Sequence, residues 1–256
     1  MDVTFAWSFR ENRRFVVSAR DDDVRVFDSV PHEEANAELA APSGSTFGDW
    51  FFEYATRVST GYYDFGLVVP DDAETESIVL FKNSVDDHGE CSFSKTNGVE
   101  VKASALYLPV HPHGFAYSIR IKLADDAPVE ACQLKTRRWL ITNADAPRDQ
   151  KSRRVQGDGV VGKFPRLLRG GGWRDDFQVA DIQHLGFARA VRRGTNRRNP
   201  PEFVYQSFSG VMTNPAAHNT FAGQMDFFPN EVLEPSGPPF HVTVPTFLLT
   251  RPRFIF

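Results

Sequence analysis

The second half of the chain is a succession of short β-type segments separated by turn residues, and this pattern restricts the fold more than any other feature. Within the segments, β-branched and aromatic residues alternate with polar ones or form short apolar runs, which is typical of strands. The predicted strands cover residues 99–108, 115–123, 132–142, 153–156, 202–208, 220–228 and 240–249. Proline, glycine, asparagine and aspartate lie between them. Many short strands at such spacing predict a β-sandwich or a β-barrel.

A mixed pattern precedes this β-rich half. Strands are predicted at 3–8, 14–19, 23–28, 65–69 and 77–82, with a linker at 31–45 and a polar loop at 83–98. Apolar residues recur with helical spacing at Phe47, Trp50, Phe51, Tyr54 and Val58. This spacing predicts a helix whose apolar face packs in a core, with Ser45 or Thr46 as its N-cap and Gly61 near its end. We therefore predict a small α+β region over residues 1–95.

Charge is distributed unevenly along the chain. The 29 basic and 33 acidic side chains give a net charge of −4, which excludes a uniformly basic nucleic-acid-binding protein. Residues 1–100 carry a net charge of −12, whereas residues 135–198 carry +10. The basic segment is either a solvated face or a docking surface for an acidic protein or RNA.

The cysteine content and the lack of long apolar runs indicate the compartment. The two cysteines, Cys91 and Cys132, cannot form a disulfide framework, which indicates a reducing, intracellular location. The apolar runs are too short for a transmembrane helix, and the amino terminus lacks the apolar core of a secretory signal. Mitochondrial and cytoplasmic or ciliary locations are not distinguished.

One glycine motif matches a nucleotide-binding pattern, but the residues on either side of it do not support a dinucleotide-binding site. Gly157, Gly159 and Gly162 match G-x-G-x-x-G, yet Pro165 interrupts the helix that such a site requires. The motif is therefore either a turn between strands or, with Lys163, an anion-binding nest. His111 and His113 in the segment His-Pro-His have no third ligand at a suitable spacing. We predict no metal site, no cofactor and no enzymatic activity, since no nucleophile, base and orienting residue are recognisable together.

Four segments resemble the ApaG domain, in the same order along the chain. They are 115–121 (Phe-Ala-Tyr-Ser-Ile-Arg-Ile), 131–144 (beginning Ala-Cys-Gln-Leu), 155–165 (containing the glycine motif) and 240–249 (Phe-His-Val-Thr-Val-Pro-Thr-Phe-Leu-Leu). The resemblance implies a fibronectin-III-like β-sandwich over about residues 99–256 and a role in protein interaction. It also implies that Gly157, Gly159 and Gly162 occupy positions for which pyrophosphate or nucleotide binding has been suggested.

The segment Ala131-Cys132-Gln133-Leu134 is most similar to the corresponding segment of the ApaG domains that end eukaryotic F-box proteins. Those proteins carry a Smi1/Knr4-like (SUKH) region before the ApaG domain. Residues 47–55 and 61–63 resemble the end of such a region, so residues 1–95 are interpreted as a SUKH remnant. An F-box, the part that docks on a ubiquitin ligase, is not recognised in the chain.

A basic insertion of about 28 residues separates two parts of the ApaG pattern, at about residues 173–200. Its arginines are candidates for docking a partner: Arg174, Arg189, Arg192, Arg193, Arg197 and Arg198. An insertion of this charge favours contact with an acidic protein surface or RNA.

Three functional hypotheses follow. The leading one is a non-catalytic scaffold, an accessory subunit of a larger assembly such as a mitochondrial ribosome, a respiratory complex or an axoneme. The second is a client-recognition adaptor related to the F-box proteins, which requires a groove or an exposed apolar patch. The third is a nucleotide- or pyrophosphate-binding protein, which requires the amides of the glycine motif to converge with Lys163, Arg153 or Arg154.

Overall fold

The computed structural model describes residues 2–8, 13–18, 23–28, 41–67, 76–79, 81–82, 85, 91–108, 114–175 and 201–254. Its first four strands form an antiparallel sheet in chain order: β1 (Asp2–Ser8), β2 (Arg13–Ser18), β3 (Asp23–Asp28) and β4 (Ala41–Thr46). The predicted linker was wrong over residues 41–45, which belong to β4. Pro42 obscured this strand, but proline is tolerated in a strand at the edge of a sheet because one side needs no donor.

The predicted helix is confirmed as α1 (Phe47–Ser59). Thr46 is the N-cap, and its hydroxyl accepts a hydrogen bond from the Asp49 N–H at 3.2 Å. The apolar stripe is only partly buried, since Trp50 is 5% exposed whereas Phe51 is 55% exposed. The helix contacts β3 and β4. After α1, β5 (Asp64–Leu67) and β6 (Glu76–Val79) pair as an antiparallel ribbon.

The remaining strands form two larger antiparallel sheets. They are β7 (Cys91–Thr96), β8 (Val99–Tyr107), β9 (Phe115–Leu123), β10 (Ala131–Thr142), β11 (Ser152–Asp158), β12 (Arg166–Leu168), β13 (Trp173–Arg174), β14 (Phe203–Phe208), β15 (Asn219–Pro229) and β16 (Phe240–Leu249). The smaller sheet has the order β14-β9-β8-β7. The larger has the order β13-β12-β10-β15-β16, and β11 pairs with β10 beyond the end of β12.

The two sheets pack face to face around one core, which confirms the predicted β-sandwich. Alternation along the strands produces the two faces: in β16, Val242 and Val244 are buried, whereas His241 and Thr243 are exposed. Rings from the two sheets meet in the centre, where the centroids of Tyr117 and Phe221 lie 4.5 Å apart. The chain's division near residue 95 and the SUKH origin of the first part stay predictions.

Strand β7 corrects the predicted polar loop at 83–98. Its serines face the edge of the other sheet, where Ser92 Oγ donates to the Thr246 carbonyl and Ser94 Oγ to the Thr243 carbonyl, each at 2.7 Å. These hydroxyl groups therefore cover part of the β16 edge that β15 leaves unpaired. The alternating serines that perform this function gave the segment the polarity of a loop.

Candidate interaction surface

The glycine loop, residues 157–163, lies where the chain leaves β11 and turns back towards β12. Val160 and Lys163 exchange two backbone hydrogen bonds of 2.9 Å, which close a tight turn. The two residues at the tip, Val161 and Gly162, have φ of +48° and +72°. Positive φ at both central positions is characteristic of a type I′ turn, so this part of the motif has a structural explanation.

Three backbone N–H groups of the loop are engaged by the protein itself. Gly159 N–H donates to the Lys135 carbonyl at 2.8 Å, and the amides of Val160 and Lys163 close the turn. Gly159 has φ of +58°, and a Cβ there would lie 2.5 Å from the Lys163 carbonyl oxygen. The close approach of two backbone segments therefore requires glycine at this position. These three amides do not point at a common site for an anion.

The side chain of Arg137 occupies the adjoining face of the loop. Its Nη1 donates to the carbonyl oxygens of Gly159 at 2.5 Å and Asp158 at 3.2 Å. The guanidinium also covers Gly157, where a Cβ would lie 3.1 Å from Nη1. This cation therefore binds loop carbonyls, so the nearest arginine is already committed to holding the loop.

Asp158 places a negative charge beside the same loop. Its carboxylate accepts hydrogen bonds from Lys135 Nζ and Thr136 Oγ1, each at 3.0 Å. The hydrogen bond from Lys135 lowers the pKa of Asp158, and Thr136 adds to the effect. The carboxylate is therefore ionised near neutral pH, and its charge disfavours an anionic ligand.

The structure unites the predicted glycines with Lys163 in one loop but does not bring the other predicted cations to it. Lys163 Nζ lies 5.5 Å from the centroid of the Trp173 ring. Arg153 Nη2 donates to the Ser209 carbonyl, and Arg154 lies on the opposite face of β11. Anion binding at Gly157, Gly159, Gly162 and Lys163 stays a prediction without a converging set of donors.

Sequence reasoning missed the residue that anchors this loop. Gln133 is buried in β10, and its Nε2 donates to the Phe164 carbonyl at 3.0 Å. Its Oε1 accepts the Val232 N–H at 2.8 Å, which ties the loop to the segment after β15. The available signal was a lone amide inside the apolar run from Ala131 to Leu134, because a buried amide needs partners.

Most of the predicted docking arginines lie outside the described residues. Arg174 is described and exposed in β13, whereas Arg189, Arg192, Arg193, Arg197 and Arg198 fall in residues 176–200, which are not. His111 and His113 also fall outside the described part. The two flanks of the insertion meet, since the Gly172 N–H donates to the Pro201 carbonyl at 2.9 Å.

A second group of cations, within the basic segment 135–198 predicted from the sequence, forms a basic edge over residues 148–154. This segment leads into β11 and contains Arg148, Lys151, Arg153 and Arg154 against the single acid Asp149, all exposed. Among the described residues, no salt bridge neutralises Arg148, Lys151 or Arg154. Like charges held close together repel one another, so such an edge favours an acidic partner.

Apolar surface adjoins the basic edge. The Arg153 side chain reaches the loop after β14, and a Cβ on Gly210 would lie 2.6 Å from its guanidinium. The next residue, Val211, is 70% exposed, and Phe208 at the end of β14 is 46% exposed. On the outer face, Leu140 of β10 lies directly opposite Arg154 and is also exposed. Apolar and basic groups are therefore interleaved at this end of the sandwich.

A polar cluster occupies the outer face of the larger sheet. Arg138 makes two hydrogen bonds to the Asp226 carboxylate, whose Oδ1 also lies 2.6 Å from His241 Nδ1. Gln224 Oε1 accepts a further bond from Arg138 at 3.1 Å. The described residues contain no group of three or more His, Cys, Asp or Glu side chains arranged to hold a metal. No described helix is long and apolar enough to cross a membrane.

Comparison with known proteins identifies the domain. A family model for the ApaG domain matches residues 109–174, which include β9 to β13 and the glycine loop. Protein ApaG of Anaeromyxobacter sp. (strain K) is 33% identical over 108 residues, which is 41% of this chain and 79% of that protein.

Two longer relatives are F-box proteins. F-box protein SKIP16 of Arabidopsis thaliana is 28% identical over 221 residues, covering 81% of this chain and 41% of that protein. Human F-box only protein 3 is 37% identical over 134 residues, covering 50% of this chain and 25% of that protein. The chain thus spans less than half of either F-box relative, while it covers most of a free-standing ApaG protein. The chain belongs to the ApaG domain family.

Proposed function

We propose that this chain is a non-catalytic protein-interaction module that serves as an accessory subunit of a larger assembly. The observation that carries the proposal is the basic edge, where three exposed cations that form no salt bridge with any described residue adjoin exposed Val211 and Phe208. Interleaved apolar and charged groups of one sign suit a protein partner, because apolar burial supplies affinity and charge supplies orientation.

The test is gentle purification of the tagged chain from cells, followed by sizing and quantitative mass spectrometry. We expect a large particle with a fixed set of proteins in constant ratio. Arg154→Glu and Val211→Asp should release the chain from it, whereas Lys102→Glu, on the other sheet, should not. Migration as a free chain with only substoichiometric partners would contradict the scaffold role.

A client-recognition adaptor is a second candidate, favoured by the extent of similarity to the F-box relative SKIP16. That similarity covers 81% of the chain, so it extends beyond the sandwich. An adaptor differs from a subunit in exchange rate: its partner should dissociate during sizing and be recovered only after chemical cross-linking. A partner that remains bound through repeated sizing would exclude this alternative.

Nucleotide or pyrophosphate binding is a prediction that the loop's contacts do not support. The amides of Gly159, Val160 and Lys163 donate to protein carbonyls, and the Asp158 carboxylate lies beside them. Titration with pyrophosphate and with ATP, followed by calorimetry, tests it directly. If either ligand binds the wild-type chain and Lys102→Ala but not Lys163→Ala, the result would support anion binding at the glycine loop.

A further inference from the structure

Strand β11 lies at an edge of the larger sheet. It pairs with β10 on one side over residues 152–158, and no described strand pairs with its other side. Five of its seven residues are exposed. In an antiparallel strand, alternate N–H and C=O groups point away from the paired neighbour, so this edge offers a row of backbone donors and acceptors.

The edge of the larger sheet at its opposite end, formed by β16, is covered by side chains. There, Ser92 and Ser94 of β7 donate to carbonyl groups on the edge of β16, and the Asn97 amide donates to the His241 carbonyl at 3.3 Å. The edge of β16 is thus covered by side chains from the other sheet. The described residues provide no comparable cover along β11, where only Arg153 reaches across to the chain after β14.

The two faces of β11 differ in chemistry. Arg154 lies opposite the exposed Leu140 and so faces solvent, whereas Val155 lies opposite the buried Trp139 and packs against the core. A strand added to this edge would therefore meet Arg154 on its outer side and Val155 on its inner side, where the Arg153 guanidinium already donates to the Ser209 carbonyl. The exposed Phe208 and Val211 lie beside the Ser209–Gly210 segment that Arg153 reaches, on the same side as Val155.

We propose that β11 is a docking edge for an extended protein segment with alternating acidic and apolar residues, which adds to the larger sheet as a further strand. This inference rests on the proposed interaction function and specifies its partner. Backbone hydrogen bonds would supply much of the affinity, and Arg154 and Val155 would select the side chains on the two faces. An acidic protein segment fits better than RNA, because the aliphatic Leu140 and Val211 match apolar side chains rather than phosphates or bases.

The probe is a synthetic, end-capped heptapeptide of alternating glutamate and valine, titrated against the full chain by fluorescence anisotropy. We expect saturable binding that weakens about fivefold or more in Arg154→Glu and as salt rises well above about 0.15 M. The matched control Lys102→Glu, a charge reversal on the other sheet, should bind within about twofold of wild type.

N-methylation distinguishes strand addition from charge attraction alone. Only alternate peptide amides can donate to β11, so methylating the three valines and methylating the four glutamates should differ. The peptide methylated at the residues whose N–H groups face β11 should bind about tenfold or more weakly. The peptide methylated at the alternate residues should bind nearly as tightly as the unmodified peptide. Equal effects of the two sets would overturn strand addition.

Two further outcomes separate this inference from the function on which it rests. If the heptapeptide does not bind but the chain still co-purifies in a stable particle that Arg154→Glu disrupts, the strand-addition model is wrong and the interaction role stands. If an oligouridylate binds in an Arg154-dependent manner and the heptapeptide does not, the acidic-peptide model is overturned in favour of RNA.

Discussion

Gln133 Nε2 donates to the Phe164 carbonyl at 3.0 Å from within the buried half of β10. With its Oε1 on the Val232 N–H, this one amide joins the sheet, the glycine loop and the segment after β15. The glycine motif is thus part of the sandwich's own framework, and the surface suited to partners lies elsewhere, along residues 148–154.

Gln133→Leu should lower the free energy of unfolding by about 2 kcal/mol, because it removes both hydrogen bonds that the Gln133 amide makes to buried or half-buried backbone groups. Urea denaturation measures this change. The same substitution at Gln156, which is exposed on β11, should change stability by less than about 0.5 kcal/mol. Equal losses in the two variants would show that the two hydrogen bonds contribute nothing measurable.

Gly159→Ala should destabilise the protein more than Gly162→Ala. Both glycines have positive φ, but a Cβ on Gly159 would lie 2.5 Å from a backbone oxygen, while one on Gly162 meets nothing within 4 Å. We expect about 1 kcal/mol for Gly162→Ala, from backbone strain alone, and at least about 2 kcal/mol for Gly159→Ala. Thermal unfolding of the two variants gives the comparison, and a reversed order would refute the turn geometry.

Val161→Asn should stabilise the protein. Val161 is β-branched and 72% exposed, and it has φ of +48° at the tip of the turn. Asparagine tolerates this left-handed conformation, so the gain should be about 1 kcal/mol. Val211→Asn is the control, since Val211 is equally exposed without positive φ, and it should be nearly neutral. A stability gain confined to Val211→Asn would contradict the explanation.

Removing both serine hydroxyls of β7 should weaken the cover on the β16 edge. Ser92→Ala with Ser94→Ala loses two hydrogen bonds of 2.7 Å, which should cost about 2 kcal/mol in total. The uncovered edge should also promote self-association, detectable by light scattering at high concentration. Ser152→Ala, at an exposed position of β11, should do neither.

Cys132 should make the protein sensitive to alkaline pH. Burial raises the pKa of this thiol from 9.0 to about 12, so the folded chain keeps the proton that the unfolded chain loses above pH 9. Unfolding therefore becomes easier as pH rises between these values, and the contribution of Cys132 to stability at pH 10 should fall by on the order of 1 kcal/mol.

Comparing wild type with Cys132→Ala in urea at pH 7.5 and pH 10 isolates this effect from other titrating groups. The stability difference between the two proteins should shrink by on the order of 1 kcal/mol at the higher pH. A difference that stays constant with pH would mean that the thiol ionises at a similar pH in both states. Reaction with a thiol reagent should likewise require unfolding.

Local patterns were sufficient for most of the fold. Alternation predicted the sandwich strands, and the Phe47–Ser59 helix followed from its 3.6-residue repeat and Thr46 cap. Two of the strands missed, Cys91–Thr96 and Ala41–Thr46, are rich in serine, proline and glycine, and two others, Arg166–Leu168 and Trp173–Arg174, are only two or three residues long. Their residues form strands because of what lies beside them, and no local signal records a neighbouring strand from a distant part of the chain.

The sequence by itself determined that this chain contains an ApaG sandwich, because periodicity and the family motifs are local properties of consecutive residues. It also determined that the middle of the chain is basic. Only the tertiary structure decided which cations pair with a described carboxylate and which side of β11 has no described strand. Those facts depend on contacts such as that of Arg153 with Ser209, 56 residues apart, and on burial, which follows from packing the two sheets together.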